Sequence, residues 1–349
     1  MDSTEVIHQH CLHARKVGGW FNHPNRGIIE IGGAERIQFL HNILTNDIKS
    51  LGPGSGIQAC LLTAQAKIIA LVNVLCFENH LWLAFDYVLK NQLREAIEKL
   101  IIMEQVTVKD LSDELKLFSA HGPKAKELIM SFPHAFSGNL DPRLKHSGMT
   151  ALSKPLSHIS VSMNGIPLTI IKINLVGEEG FGILAPKAET SKLKAAIEQN
   201  AAALEIIELE PEAVEIMRIG AAIPKYGVDY DESNIPLECR LDHTISFTKG
   251  CFPGQEIIAR LDSRGGVSKK LCGLVLKGEI IPKKNDRVLD GTKEVGWVTS
   301  AAFVPVLKKT VALGYLQKES WSVGHPLVVD TRTEHIPARV EELPFYSKD

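Results

Sequence analysis

Near residue 270 the hydrophobic pattern of the chain changes period. Beyond it apolar residues come in short runs, C-G-L-V-L (272–276), R-V-L (287–289), E-V-G-W-V (294–298), V-A-L-G-Y-L (311–316), P-L-V-V-D (326–330) and A-R-V-E-E-L (338–343), parted by turns such as Asp290-Gly291. Short strands at this spacing predict a small all-β sandwich or barrel over 271–349. Before it, stretches of period 2 are mixed with stretches of period 3.6. The expected architecture is α+β over 1–270, followed by a β module.

Within 1–270, Gly27 to Ile31 reads as a strand turned at Gly32-Gly33, and Ala34 to Leu44 as a helix with Ile37, Leu40 and Leu44 on one face. Ile68 to Phe77 and Leu81 to Asp86 read as an antiparallel pair joined across Glu78-Asn79-His80. Asn91 to Met103 is an amphipathic helix with Leu93, Ile97, Leu100 and Ile101 on its apolar face. Strands follow at Val106 to Leu111 and Leu115 to Ala120, then a short helix at Lys124 to Met130. Ser157 to Met163, Asn164-Gly165 and Ile166 to Asn174 form a hairpin signal, because Asn-Gly supplies the positive φ angles of a tight turn. Phe181 to Ala185 is a strand, and Pro186 to Gln199 and Glu212 to Ile219 are helices. The Pro-, Gly-, Ser- and His-rich stretch near 132–154 has no period and reads as a long loop or a seam between two α+β subdomains. No internal repeat is visible.

The chain has 349 residues, with 39 Lys+Arg against 41 Asp+Glu and 44% hydrophobic residues. That balance excludes a disordered chain, and it argues against a protein built to coat nucleic acid or acidic membranes. No apolar run reaches the roughly 18 residues needed to cross a bilayer, and the N-terminus has no signal or transit pattern. The six cysteines, at 11, 60, 76, 239, 251 and 272, include no C-x-x-C pair, so no zinc or redox motif is expected. Cys60, Cys76 and Cys272 lie among apolar residues, as reduced core cysteines do, which fits a cytoplasmic protein. His8, His10 and His13 lie close together without accompanying carboxylates or thiols, and a mobile terminal segment is expected rather than a metal site.

Residues 218–270 hold most of the chemistry. Arg218, Gln255, Glu256 and Arg260 are mixed with Gly227, Gly250, Gly254, Gly265 and Gly266, which permit sharp turns or close approach to a ligand. Lys249-Gly250-Cys251 sets a cation two residues from a thiol, which favours thiolate and makes Cys251 the best reactive-thiol candidate. Cys251 reads equally as a small core residue beside a turn. Gln255-Glu256 can open a helix on which Arg260 shares a face with Glu256. The run Arg260, Arg264, Lys269, Lys270 is either an anion site or a solvated charged turn. His243, just before this stretch, is assigned a structural role, although it could face a channel.

Lys249, Gly250, Cys251, Phe252, Pro253, Gly254, Gln255 and Glu256, followed by Arg260, resemble the K-G-C-[aromatic]-x-G-Q-E…R signature of the YgfZ family, in the superfamily of the glycine-cleavage aminomethyltransferase (T-protein). Further stretches resemble that superfamily across nearly the whole chain: I-G-G-A-E-R-I-Q-F-L-H-N-I-L-T-N-D (31–47), V-G-E-E-G-F (176–181), R-I-G-A-A-I-P-K-Y-G-V-D (218–229), G-W-V-T-S-A (296–301) and A-L-G-Y-L (312–316). The resemblance implies a GcvT-like folate-binding fold, with three subdomains around a central channel and a C-terminal β-barrel. It implies tetrahydrofolate or a one-carbon derivative as ligand. It also implies a role in maturation or repair of iron–sulfur enzymes, including one that methylthiolates tRNA. Iron–sulfur proteins or their assembly factors would be the partners. Carried over by position, Cys251 is the functional thiol with Lys249 beside it. Arg218, Tyr226, Asp229, Gly250, Gly254, Gln255, Glu256 and Arg260 would bind the cofactor.

Two departures bear on activity. The T-protein has a carboxylate just after its G-G-I turn, whereas here Gln65-Ala66-Lys67-Ile68-Ile69-Ala70-Leu71-Val72 puts apolar residues at the acidic positions. General-base help needs an acceptor within hydrogen-bond reach. Gly182 stands where the T-protein has a folate-binding Glu. The expected function is therefore a folate-binding accessory protein rather than an ordinary enzyme. A tetrahydrofolate-dependent aminomethyltransferase or demethylase is the alternative. Direct RNA binding is the weakest reading, since no RNA-binding motif is present. A single cysteine cannot hold a cluster that needs about four thiolates, so any cluster would be shared with a partner.

Overall fold

The computed structural model describes residues 3–23, 26–132, 151–163, 165–263 and 265–346. Three units are present: two mixed α/β layers and a barrel.

The first layer is a five-stranded sheet in the order β3-β4-β5-β2-β6. Its strands are β2 (Arg26–Gly32), β3 (Gly56–Leu62), β4 (Ile68–Cys76), β5 (Leu81–Asp86) and β6 (Thr107–Asp110). The period-2 pattern sends Ile29, Ile31, Ala70, Val72, Leu81, Leu83 and Phe85 to one face, against α2 (Arg36–Ile43) and α3 (Lys90–Leu100). Each such fully buried large apolar side chain contributes about 1.5–3 kcal/mol relative to exposure. The opposite face carries Trp82, Ala84 and Asp86 from β5, none of them fully buried.

The second layer is a six-stranded sheet in the order β11-β1-β7-β10-β9-β8. Its strands are β1 (Gly19–His23), β7 (Leu115–His121), β8 (His158–Met163), β9 (Ile166–Ile173), β10 (Gly180–Pro186) and β11 (Ile207–Glu208). Its outer face packs Trp20, Phe118, Phe181 and Ile183 against α4 (Ala125–Met130) and α5 (Thr190–Ala203). The inner faces of the two sheets meet through Ile28 and Leu75 on one side and Leu117, Ile171, Ile173 and Leu184 on the other.

The two layers repeat one succession that the sequence does not show. β2 leads through Gly33 (φ +96) into α2, and β7 leads through Gly122 (φ +103) into α4. β5 and β10 each end in a 3-10 turn, Tyr87–Leu89 and Lys187–Glu189, that starts α3 and α5. The repeat lies in backbone geometry, with only the glycines in common.

The third unit is a closed barrel of β12 (Lys269–Leu276), β13 (Arg287–Asp290), β14 (Lys293–Val304), β15 (Lys309–Gln317), β16 (Pro326–Asp330) and β17 (His335–Glu341), in the order β12-β15-β14-β13-β16-β17. β17 pairs back onto β12, so no edge is left open. The expected α+β class with a C-terminal barrel is what the chain adopts. α6 (Pro211–Gly220) joins the barrel to the layers, with Ile219 packed on Ala302, Val304 and Val311.

Two expectations need correction. The N-terminus is not a mobile segment. Ser3–Lys16 forms helix α1, whose Cys11 and Ala14 are buried against Leu209, Ala213 and Met217. The buried stripe is built from Cys and Ala, which give little hydrophobic periodicity. His10 bonds Glu210 at 2.6 Å, His13 bonds the Glu205 carbonyl at 2.7 Å and His8 lies on Phe303, so the three histidines have separate partners. Helix α3 stops at Leu100, short of Met103, because the Glu104 carboxylate captures the backbone N–H groups of Ile102 and Met103. The hairpin at 158–173 forms as expected, with Gly165 at φ +84, while Asn164, most of the stretch near 132–154 (with His134 and His146) and Arg264 lie outside the described residues.

Candidate functional site

The stretch 249–256 is a surface loop that runs into helix α7 (Gln255–Ser263). Two residues pin it. Phe252 is buried in a cluster with Ile235, Leu237, Ile245 and Ile258. Gly254, at φ +81, lies on the β3–β4 turn, where a Cβ would come 2.7 Å from Ala66 Cα and 2.8 Å from the Thr63 carbonyl oxygen. Just ahead of these anchors Gly250 and Cys251 are exposed. The core-residue reading of Cys251 is thereby removed. The other five cysteines are buried, and burial pushes Cys11, Cys60 and Cys239 up to about 12.

Lys249 is not directed at the thiol. Its Nζ donates to the backbone carbonyls of His41 and Leu44, at the C-terminal end of α2, and lies 5.1 Å from the Phe252 ring centre. A cation there satisfies carbonyls that the helix leaves free. Burial pushes the ammonium down to about 8, against the pull of the Asp47 charge. The T-N-D turn that follows α2 is tied to the same stretch. Thr45 Oγ1 donates to the Thr244 carbonyl, Asn46 Nδ2 donates to the carbonyls of Gln58 and His243, and Ser246 N–H donates to the Thr45 carbonyl. His243 itself is held by Gln58 at 2.8 Å. The motifs at 45–47 and 249–256, some 200 residues apart, thus form one packed unit.

Helix α7 begins at Gln255, as the sequence predicts. Glu256 and Arg260 are exposed and make no ion pair with each other, and no other described residue pairs with the guanidinium. Lys269 is half-buried, 5.2 Å from the ring centres of both Trp297 and Tyr315.

Arg218 and Asp229 meet, but inside the protein. Arg218 donates through Nε and Nη2 to Glu215 and through Nη1 to Asp229 at 2.8 Å and to the Ile223 carbonyl. Asp229 also accepts from Thr299 at 2.6 Å, from Ser300 at 2.7 Å and from the Lys225 N–H at 3.0 Å. Arg218 is 6% exposed and Asp229 1%. The pair welds α6 to barrel strand β14, and its polar atoms are consumed there, which leaves a cofactor little to bind. Glu215, Thr299 and Ser300 complete this network; Thr299 and Ser300 lie in the G-W-V-T-S-A stretch, which by itself assigned them no role. Tyr226 is half-buried, bonds Glu232 at 3.0 Å, and is pushed up to about 12 by burial and that carboxylate.

A second group of polar side chains gathers where the ends of β1, β2 and β5 approach the 225–232 segment. Asp86 stands opposite Arg26 in the β2–β5 register. Arg26 and Lys225 act on the Asp86 charge, and Asp86 acts on Tyr226 and Tyr230. On the neighbouring sheet His23 and His121 share Ser119, at 2.7 Å and 3.1 Å from its Oγ. Burial lowers both histidines, His121 to about 4. On β4, Ala70 is buried in the core behind the sheet, whereas Leu71 and Asn73 face this side, and Asn73 is engaged by Gln58 at 2.8 Å. Gly182 does not line this group. A Cβ there would meet Ile173 at 2.8 Å and Leu117 at 3.0 Å, both in the inter-sheet core. Among the described residues no three metal-ligating side chains come together, and no helix is long and apolar enough to cross a membrane.

Comparison with known proteins gives consistent results. A family model described as the GCVT N-terminal domain matches residues 1–249, and the glycine cleavage T-protein C-terminal barrel domain matches residues 269–347. An aminomethyltransferase of Desulforamulus reducens is 25% identical over 353 residues, covering 99% of this chain and 90% of its own. An aminomethyltransferase of Nostoc sp. is 28% identical, covering 95% and 85%. A putative chloroplastic transferase of Arabidopsis thaliana is 29% identical, covering 92% and 70%. The crystal structure of glycine cleavage system aminomethyltransferase T from Bartonella henselae superposes with a TM-score of 0.84 at 20% identity, over 97% of this chain and 89% of that one.

Proposed function

The chain belongs to the glycine cleavage T-protein (GCVT) family, and from that premise we propose that it binds tetrahydrofolate or a one-carbon derivative beside β2 and β5 and offers Cys251 to a partner. The observation that carries the reading is the separation of two features. The polar side chains Arg26, Asp86 and Tyr226 gather at the ends of β2 and β5 with the exposed Lys225 near them, while Cys251 sits exposed on a loop anchored by Phe252 and Gly254. The cations suit the carboxylates of a folate tail, and Asp86 suits an N–H donor. The side of β4 turned to the same space offers Leu71 and an Asn73 already engaged, so no acid lies on that strand.

On this reading the protein is a YgfZ-type folate-binding accessory factor in maturation or repair of iron–sulfur enzymes, and any effect on tRNA methylthiolation is indirect. Tetrahydrofolate titrated into the protein by calorimetry should give saturable binding. In a deletion strain, Cys251→Ser should fail to restore iron–sulfur enzyme activity. Full rescue by Cys251→Ser would remove the thiol from the function.

A second reading is tetrahydrofolate-dependent aminomethyl transfer or demethylation. It is favoured by relatives named aminomethyltransferase that align with nearly the whole chain. Turnover of an aminomethyl or methylamine donor in the presence of tetrahydrofolate would establish it, and a flat result with folate bound would leave the accessory role.

A further inference from the structure

We propose that Arg15 is the receptor of an anion site at the joint of α1, α6 and the barrel, that its ligand is a small monoanionic carboxylate with an aliphatic group, and that the C-terminal strap closes the site through Tyr346. No residue of this site belongs to the folate space or to the Cys251 loop, so the inference stands apart from the proposed function.

Two arginines are buried among the described residues, and they differ in what they bind. Arg218 gives its Nε, Nη1 and Nη2 to Glu215, Asp229 and the Ile223 carbonyl. The Arg15 side chain is only 6% exposed, yet neither its Nη1 nor its Nη2 has a hydrogen-bond partner among the described residues. Glu178 stands on the Nε side at 4.0 Å, beyond hydrogen-bond reach. It balances charge but leaves the outer fork of the guanidinium unbonded. Buried donors are normally met, because an unmet one forfeits the bonds it had to water. This fork is the group that a carboxylate takes with two parallel N–H···O bonds.

The surroundings select the kind of anion. Arg15 lines a cleft whose other walls are Leu12 from α1, Ile216 and Met217 from α6, and Val304 and Val306 at the end of β14. Val306 is partly exposed and marks the mouth. Gly220, the last residue of α6, has no side chain to fill the space beside Nη2, where a Cβ would come to 3.4 Å. A phosphate brings more oxygens than one fork can meet, and apolar walls leave the remainder without donors. Its second charge would also be opposed by Glu178. A carboxylate spends both oxygens on Nη1 and Nη2 and turns its aliphatic part to the walls.

Residues 342–346 follow β17 as a strap that reaches from the barrel to α1. Leu343 is buried against Leu271, Leu313 and Tyr315, and the Phe345 ring lies 2.8 Å from where a Cβ of Gly273 would stand. Beside these anchors a cavity of about 480 Å³ separates the strap from Leu307 and Lys309, so the strap spans space that it does not fill. Its tip is Tyr346, whose ring centre lies 3.6 Å from the Arg15 guanidinium carbon. The Tyr346 hydroxyl makes no hydrogen bond to a described residue, so one cation–π contact holds the tip. Lifting that ring uncovers the guanidinium. The ring and the ligand therefore compete for Arg15.

The test is calorimetric titration of butyrate into the full chain at fixed ionic strength, with chloride as the control and phosphate as the rival anion. Wild type, Tyr346→Ala, and Tyr346→Ala combined with Arg15→Gln or with Arg15→Lys are compared, with a melting curve of each. Tyr346→Ala should bind butyrate about tenfold more tightly than wild type, because the ring no longer competes. Arg15→Gln should abolish binding. Arg15→Lys keeps the charge without the fork, should stay folded if Arg15→Gln does not, and should lose most of the affinity. Phosphate should not displace butyrate. A Tyr346→Ala protein that binds no butyrate, or an Arg15→Lys protein that binds it undiminished, would overturn the site. Tighter binding of phosphate would overturn the carboxylate assignment, and equal affinities of wild type and Tyr346→Ala would remove the strap from it.

Discussion

Gly254 and Ala66 are in backbone contact: a methyl group on Gly254 would stand 2.7 Å from the Ala66 Cα. Both residues take left-handed backbone conformations, with φ of +81 and +60. The signature loop is therefore seated on the β3–β4 turn by geometry that a larger residue cannot reproduce. Gly254→Ala meets the backbone of Thr63 and Ala66 and a φ that favours glycine. It should destabilise the protein by more than about 1 kcal/mol, since backbone atoms cannot give way as side chains do. Urea denaturation measures the loss, and an unchanged midpoint would mean that the contact relaxes freely.

Cys251 should be the one cysteine that reacts in the folded protein. The remaining five are buried, and burial raises each thiol. Brief alkylation followed by mass spectrometry of the intact chain should show a single adduct, absent from Cys251→Ser. Multiple adducts before unfolding would contradict the burial described above.

Lys249→Met should leave the carbonyls at the end of α2 without their cation. The expected loss is about 0.3–1 kcal/mol. Because Lys249 fixes the loop next to Cys251, the same variant should alkylate faster at Cys251. A rate equal to wild type, with unchanged stability, would show that Phe252 and Gly254 suffice to hold the loop.

Removing Arg218 should destabilise the fold itself. Arg218→Met leaves Asp229 buried with part of its pairing gone, a loss of about 3–5 kcal/mol for a broken buried pair. The loss should appear in denaturation curves in the absence of any ligand. Weak folate binding by this variant would then reflect a loosened joint between α6 and β14.

Acid should destabilise the protein in a defined window. Burial lowers His121 from 6.5 to about 4. Between these values the unfolded chain binds a proton that the folded chain does not. Its contribution is complete above about 6.5 and is lost as pH falls towards 4, roughly 3–4 kcal/mol in all at 1.4 kcal/mol per unit. His23 and His158 shift in the same direction, which steepens the slope. His121→Gln should flatten it, as read from denaturant midpoints across that range.

Much of this protein was decided locally. The change to short strands near residue 270 announced the barrel, because a period of 2 broken by turns leaves few other folds. The alternation of β4 and β5 and the Gln255 start of α7 were legible for the same reason: each is a relation between residues a few positions apart. The glycines and the aromatic residue of the 249–256 stretch also marked a special loop. Tertiary structure alone decided what those residues touch. Lys249 reaches across some 200 residues to His41 and Leu44 instead of Cys251, and Arg218 and Asp229 spend their polar atoms on Thr299, Ser300 and each other. Strand pairing places residues side by side that are far apart in sequence, and burial decides which of them lose contact with water. Neither quantity is a property of any short stretch of chain.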